Sequence, residues 1–371
     1  MKKILILANN DIGLYRFRKE LIEELIKLGN EVYISLPYGA NVDKLKDMGC
    51  KFFDTKIDRR GMNPINDLIL LFNYFKLLNQ IKPDLVLTYT IKPNIYGGLI
   101  CRIKNIDTIA NITGLGSSMQ RDNIMKKILL YLYKISISKS TCVFFQNKNI
   151  EKFFINNNIL QQNYKVIPGS GVNLSENRFE KYPSDNSIEF TFIGRVMKEK
   201  GIDEFFYIAE KIKSLYDNVE FHIIGFYEEN YKSKIENLEE NNIIKYYGFQ
   251  EDIHNFIKES HCVILPSYHE GLSNVLLEAA STGRPSIASD IPGCNEVIDD
   301  GKTGYLFEVK NKDELFDKVK EFIELPISKK EEMGINARKK VEHEFDRQLV
   351  VQQYIDIINT EEVKGKPDVA I

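Results

Sequence analysis

His261-Cys262-Val263-Ile264-Leu265-Pro266-Ser267-Tyr268-His269-Glu270-Gly271-Leu272-Ser273-Asn274-Val275-Leu276-Leu277-Glu278-Ala279-Ala280 is the stretch that decides the fold. Its apolar run Cys262 to Leu265 has the length of one buried strand. Pro266 ends the run, and a polar loop carrying Glu270 follows. From Asn274 the pattern reads as a helix, stopped by Gly283 and Pro285, and a second apolar strand opens at Ser286. A strand thus feeds a helix through a loop that holds one acid, and the helix holds another.

Glu270 and Glu278 are eight positions apart, or ~12 Å if the helix were continuous. They are too far apart to share a proton or a metal, yet placed to hold the two ends of an extended ligand. Between them the backbone N–H groups of Gly271, Leu272 and Ser273 fall where a helix begins, which suits a diphosphate. One acid beyond each end of a diphosphate points to a nucleotide sugar, with one Glu on the sugar hydroxyls and one on the ribose. The competing reading is a surface acid and a solvated helix acid.

The remaining chain supports the larger pattern. Strands are expected at Lys3–Ala8, Glu31–Leu36, Lys51–Phe53, Pro83–Thr88, Thr108–Ile112 and Thr141–Gln146, with helices over 15–28, 41–49, 65–81, 94–103 and 122–138 between them. A second alternation begins near Glu189 after a linker, 168–187, rich in Pro, Gly, Ser and Asn. Two Rossmann-like α/β domains with parallel sheets and a cleft between them follow, 1–170 and 171–345, with the final segment, 346–371, packing back on the first.

Composition excludes several classes. The 371 residues are 43% hydrophobic and 28% charged, as in a globular protein, and no run reaches the ~18 apolar residues of a membrane span. Five scattered cysteines without a CxxC pair read as reduced core thiols in a cytoplasmic protein, and five unpaired histidines give no metal site. GxGxxG, Walker A and GxSxG are all missing, which argues against dehydrogenase, P-loop and α/β-hydrolase chemistry. The net charge of −3 hides an asymmetry: through Lys165 there are 25 Lys and Arg against 14 Asp and Glu, a balance of +11, and the remainder carries −14. Together with basic and aromatic residues beside the apolar stripes of helices 65–81 and 122–138, this suggests peripheral contact with an anionic membrane rather than with nucleic acid.

Gly194-Arg195, Lys200-Gly201, Pro266-Ser267 to Glu270-Gly271, Glu278 at the E-x7-E spacing and Gly301-x-x-Gly304 resemble the retaining glycosyltransferases of family 4, which have the GT-B fold. The first half resembles the bacterial members that build glycans on polyprenyl diphosphate, N-acetylgalactosaminyltransferases among them. It does so through Tyr15-x-Phe17-Arg18, the loop Arg59 to Pro64, Lys92-Pro93-Asn94 and Gly114-Leu115-Gly116-Ser117.

The resemblance implies catalytic roles for Arg195, Lys200 and Glu270. It implies donor contacts from Gly13, Arg195, Lys200, Glu270, Gly271, Leu272, Ser273 and Glu278. Acceptor contacts would come from Tyr15, Arg16, Arg18, Arg59, Arg60, Lys92, Asn94 and Gly116. No cofactor or metal is implied. The expected reaction moves a hexose or N-acetylhexosamine, with GalNAc the first choice, from a UDP-sugar to a polyprenyl-diphosphate-linked saccharide. The enzyme would work in the cytoplasm, against the inner face of the cell membrane. A UDP-GlcNAc 2-epimerase of GT-B shape and a non-catalytic binding subunit are the alternatives. One departure stands out: the loop Thr88-Tyr89-Thr90-Ile91-Lys92 lacks the His that many members carry, so Thr90 or Lys92 takes over its contact or the contact is lost.

Overall fold

The computed structural model describes residues 1–58, 61, 63–114, 124–160, 163–184 and 187–363. The chain divides into two units, Met1–Ser170 with Gln348–Ile371, and Gly171–Arg347.

The first unit holds a seven-stranded parallel sheet in the order β3-β2-β1-β4-β5-β6-β7. Its strands are β1 Lys3–Leu7, β2 Glu31–Leu36, β3 Lys51–Asp54, β4 Leu85–Tyr89, β5 Asp107–Ile112, β6 Cys142–Phe145 and β7 Tyr164–Val166. Its helices are α1 Asp11–Lys27, α2 Val42–Asp47, α3 Pro64–Ile81, α4 Gly98–Lys104, α5 Ile124–Ser136 and α6 Lys148–Asn156. The central strands read as unbroken apolar runs because helices cover both faces of the sheet. Leu5 pairs with Tyr33 on one side and Val86 on the other, so strand order reverses between β1 and β4.

Two local differences from the sequence reading have clear causes. Helix α1 begins at Asp11, not Tyr15, because Asn10 is its N-cap: the Asn10 Oδ1 accepts from the Gly13 N–H at 2.6 Å. The expected helix 94–103 opens as a π-helical turn, Pro93–Gly97, before α4. Glycines let that wide turn lie close to its neighbours: a Cβ on Gly97 would stand 2.5 Å from Leu7 Cδ1, and one on Gly98 3.1 Å from the Ser136 carbonyl. Strand β7, three residues long with exposed side chains, carries no periodic signal and was not foreseen.

The second unit holds a six-stranded parallel sheet, β10-β9-β8-β11-β12-β13. The strands are β8 Ile188–Ile193, β9 Val219–Ile224, β10 Lys245–Tyr246, β11 Cys262–Leu265, β12 Ser286–Ser289 and β13 Gly304–Phe307. Around them lie α7 Ile202–Lys213, α8 Lys232–Glu240, α9 His254–Glu259, α10 Asn274–Thr282, α11 Lys312–Glu324 and α12 Ile327–Glu344. Phe190, Phe192, Phe205 and Phe221 are fully buried in its core, with Phe190 and Phe221 stacked at 5.3 Å. Removing any one of these rings would cost about 3–5 kcal/mol. Order reverses here between β8 and β11.

The last helix, α13 Arg347–Val363, is tied into the first unit. Its Tyr354 is buried with the ring 4.7 Å from Phe144 and its hydroxyl on Asn111, and Lys2 Nζ donates to the Ile358 carbonyl at 2.9 Å.

Candidate functional site

In an open parallel sheet, ligands lie beyond the carboxyl ends of the strands where order reverses. In the second unit that place is the pair of loops after β8 and β11. Glycines set their shape. At Gly225, after β9, φ is 151° and a Cβ would fall 1.8 Å from the Gly194 carbonyl. At Gly201 φ is 74°, and a Cβ would fall 2.0 Å from the Pro266 carbonyl. Gly201 ends the 3-10 turn Lys198–Lys200, caps α7 and lets the β8 loop close on the end of β11.

The consequence is chemical. Lys200 Nζ lies 2.6 Å from Glu270 Oε1, with the two side chains 19% and 12% exposed. Arg195 stands at 3.6 Å from Glu228 and is more open, 39% exposed. The loop is braced by the Tyr268 N–H on the Glu199 carbonyl at 2.9 Å and the Tyr268 hydroxyl on Glu204 at 2.8 Å. A lysine ammonium has three donors, so one can hold Glu270 while others meet an anion; the Arg195 fork suits a phosphate edge. Cys294 lies near this pair, but burial first and the Glu270 charge second push its thiol well above the usual range, so it is no nucleophile. Burial likewise drives the Cys50 and Cys101 thiols up to about 12, as expected of core cysteines.

Several sequence expectations need correction. Residues Pro266 to Ser273 form a loop and α10 starts at Asn274, as the sequence reading has it, so the yardstick of a continuous helix does not apply to the Glu270–Glu278 spacing. The Ser273 N–H is not open to a ligand: it donates to the Gly293 carbonyl at 2.9 Å, and the Ser273 Oγ caps Leu276. Gly293, at φ 87°, permits this contact, since a Cβ there would lie 2.6 Å from the Gly271 carbonyl. Leu272 is buried among the apolar residues under this loop. Glu278 is no solvated acid; it is 8% exposed on the inner face of α10. Sequence reading also missed the hydroxyls of Ser267 and Ser289, at the carboxyl ends of β11 and β12, which are buried without partners. It missed Arg284 as well. That guanidinium is buried and donates to the carbonyls of Glu180, Lys181, Lys258, Thr282 and Gly283, pinning the 180–181 segment and the end of α10. Nothing in the local pattern marked it.

In the first unit, the loops after β1, β3, β4 and β5 enclose a cavity of about 190 Å³ lined by Asn9, Ile57, Thr90, Ile91, Lys92 and Thr113. Of the expected acceptor residues, Tyr15 is half-buried between Lys19 and Lys44, which stand 5.7 and 5.3 Å from its ring centre. Arg16 is half-buried beside Phe17. Arg18 is not a surface cation: it is 6% exposed, its guanidinium 5.0 Å over the Tyr89 ring and bonded to the Phe17 carbonyl at 2.6 Å. Asn94 is also a core residue, 1% exposed, accepting from the Thr88 hydroxyl at 2.6 Å and donating to the Asn111 carbonyl at 2.8 Å. Lys92 reaches the cavity, but its ammonium is paired with Asp67 at 2.7 Å. The Gly13 N–H is spent on the α1 cap, so the glycine serves the helix start. Arg59, Arg60 and Gly116 lie outside the described residues.

Two helices of this unit turn apolar side chains outward: Ile65, Leu68, Ile69, Phe72 and Phe75 on α3, and Ile124, Ile128 and Tyr131 on α5. Both pack beside the 93–97 turn. Among the described residues no helix is long and apolar enough to cross a membrane, and no cluster of three or more His, Cys, Asp or Glu is placed to hold a metal ion.

Two parallel-sheet α/β units of this kind are the GT-B fold of glycosyltransferases. The chain belongs to the group 1, family 4-like glycosyltransferases: residues 175–340 match the family model described as Glycosyl transferases group 1, and residues 3–147 the one described as Glycosyl transferase 4-like. It is 25% identical over 371 residues to the N,N'-diacetylbacillosaminyl-diphospho-undecaprenol alpha-1,3-N-acetylgalactosaminyltransferase of Campylobacter jejuni, covering 95% of this chain and 96% of that one. It is 28% identical to the UDP-Gal:alpha-D-GlcNAc-diphosphoundecaprenol alpha-1,3-galactosyltransferase of Escherichia coli, covering 79% and 80%. HepE from Anabaena, solved with UDP and glucose, shares the fold with a TM-score of 0.79 at 17% identity, covering 97% of this chain and 100% of that one.

Proposed function

We propose that this glycosyltransferase moves an N-acetylhexosamine or hexose, with GalNAc the first choice, from a UDP-sugar to a saccharide carried on polyprenyl diphosphate, retaining anomeric configuration. The observation that carries the reading is the end-to-end similarity to the Campylobacter jejuni enzyme, whose name specifies both a lipid-linked acceptor and GalNAc. The polar loops of the second unit agree with it. Arg195 and Lys200 offset the charge that grows on the departing UDP, Glu270 holds donor hydroxyls, and Glu278 anchors the ribose side. The acceptor hydroxyl attacks the anomeric carbon on the face from which UDP leaves. The bond from that carbon to the phosphate oxygen breaks, and the departing phosphate takes the hydroxyl proton, so no enzymatic nucleophile is needed. Arg16, Arg59 and Arg60 are the cations assigned to the acceptor diphosphate, since the planar N–H fork of a guanidinium donates to two phosphate oxygens at once.

The outward apolar faces of α3 and α5, in the half of the chain with the +11 balance, suit contact with an anionic bilayer, where a lipid-borne acceptor would be found. The test is turnover of UDP-GalNAc, UDP-GlcNAc and UDP-Gal with undecaprenyl-diphosphate-linked monosaccharides in detergent, read by mass spectrometry and by the anomeric coupling of the product. Transfer with an α linkage supports the proposal. Transfer only to a soluble acceptor, or a β product, would refute it.

A further inference from the structure

Helix α7 opens next to Lys200 with two consecutive acids, Asp203 and Glu204. Gly201 is its N-cap, so Glu204 stands at the third helical position, where a Glu ordinarily reaches back to the N-cap N–H. Here that N–H is spent on the Lys198 carbonyl at 2.9 Å. The Glu204 side chain serves another element instead. It is 9% exposed, and its Oε1 accepts from the Tyr268 hydroxyl at 2.8 Å, 64 positions along the chain. Its Oε2 is buried with no hydrogen-bond partner among the described residues. A carboxyl oxygen left unpaired in the interior is destabilising. The helix end gains no cap in return, and Asp203 already places an acid in its first turn. The contact with Tyr268 is what accounts for the residue.

Tyr268 lies two residues before Glu270 and grips the neighbouring loop on both sides of Lys200. Its N–H donates at 2.9 Å to the carbonyl of Glu199, the residue before Lys200, and its hydroxyl reaches Glu204, four residues after. Lys310 Nζ stands 4.7 Å from the ring centre. Burial first, and the bond to Glu204 second, raise the pKa of the hydroxyl, so it stays a donor. Two bonds from one tyrosine thus register the loop after β11 against the loop after β8. The Lys200–Glu270 contact at 2.6 Å depends on that register, because a long lysine side chain loses much rotamer freedom when it is held in one place.

We infer that Glu204 is a positioning residue for sugar transfer: through the Tyr268 hydroxyl it fixes the loop after β11 so that Glu270 stands against Lys200. It touches no substrate and acts only through Tyr268. The inference rests on the proposed function in taking Glu270 as the group that holds donor hydroxyls; the register of Glu270 on Lys200 can be measured without any substrate.

The experiment uses the full chain with UDP-GalNAc and an undecaprenyl-diphosphate-linked monosaccharide. Tyr268→Phe keeps the ring and its N–H bond and loses only the hydroxyl. It should lower kcat about tenfold, the size of one lost hydrogen bond, and leave the Kd for UDP within about threefold of wild type. Glu204→Gln, which keeps an acceptor for the hydroxyl, should hold kcat within about threefold. The double variant Glu204→Met with Tyr268→Phe removes both polar groups, so its Tm should lie within about 3 °C of wild type while kcat stays about tenfold down. In a Glu270→Gln background, Tyr268→Phe should change kcat by less than about twofold, since the group it positions has lost its charge. Unchanged kcat in Tyr268→Phe, recovery of kcat in the double variant, or the full tenfold loss in the Glu270→Gln background would overturn the assignment. Should the wild type transfer no sugar, the proposed function fails on its own, and urea unfolding decides Glu204. The coupling between Lys200 and Glu270, taken from Lys200→Met, Glu270→Gln and their combination, should drop by about half or more when Tyr268→Phe is present. An unchanged coupling refutes the positioning role.

Discussion

Lys200 and Glu270 are 70 positions apart in sequence and 2.6 Å apart in space, each largely shielded from water. Their pairing joins the two loops that leave β8 and β11, so it is at once a structural contact and the centre of the proposed donor site. Removing one partner leaves a poorly solvated charge, whereas removing both leaves none. Lys200→Met should therefore lose about 2 kcal/mol in urea unfolding, Glu270→Gln about 1 kcal/mol, and the double variant less than their sum. UDP affinity, measured by calorimetry, should fall at least about tenfold in Lys200→Met and little in Glu270→Gln, whose loss should appear in kcat. Strict additivity would mean that the two residues act independently.

The contact depends on a missing side chain next door. A Cβ on Gly201 would have to occupy space 2.0 Å from the Pro266 carbonyl, at φ 74°. Gly201→Ala should destabilise the protein by about 3 kcal/mol, from backbone strain and steric overlap together. It should also depress UDP binding, because the turn that carries Lys200 must withdraw. A variant with wild-type Tm would show that this loop tolerates a displacement the close approach forbids.

Acid should weaken the second unit through His261. The ring is buried; its Nδ1 accepts from the Glu189 N–H at 3.1 Å and its Nε2–H donates to the Ser184 carbonyl at 3.0 Å. Burial holds its pKa below the ordinary 6.5, with the Ser184 bond opposing that shift. As pH falls, the unfolded chain takes up the proton first, so the unfolded state binds more protons and stability drops. The loss should begin near pH 6.5 and stop once pH passes below the folded-state pKa. His261→Gln, which does not titrate, should start less stable and show a flatter profile when chemical denaturation is followed from pH 8 to 5.

The outward faces of α3 and α5 should govern attachment to vesicles. Phe72→Glu combined with Ile128→Glu changes two exposed positions, so Tm should stay within about 2 °C of wild type. Sedimentation with vesicles containing anionic phosphatidylglycerol should fall by about tenfold or more, and the wild-type signal should weaken with added salt. Equal sedimentation of wild type and variant would remove these helices from any membrane role.

Much of the architecture was legible from local patterns. Short apolar runs between amphipathic stretches gave most strands of both sheets, and the Gly194-Arg195, Lys200-Gly201 and Glu270-Gly271 groups marked the loops of the second unit. Failures occurred where distant packing overrides local signal. Arg18 and Asn94 look like surface ligands because their types usually are, yet one lies under Tyr89 and the other bridges Thr88 and Asn111 in the core. The reading of Ser273 failed because its N–H partner, Gly293, comes from beyond the next strand.

By itself, then, the sequence determined two doubly wound parallel sheets and which loops carry charge, since hydrophobic period and turn chemistry act over a few residues. Only the tertiary structure decided which charges meet, which are buried and which hydroxyls are left unsatisfied. Lys200 finds Glu270, Lys92 is claimed by Asp67, and the Thr90 hydroxyl has no partner, because each outcome depends on how loops from separate strands converge.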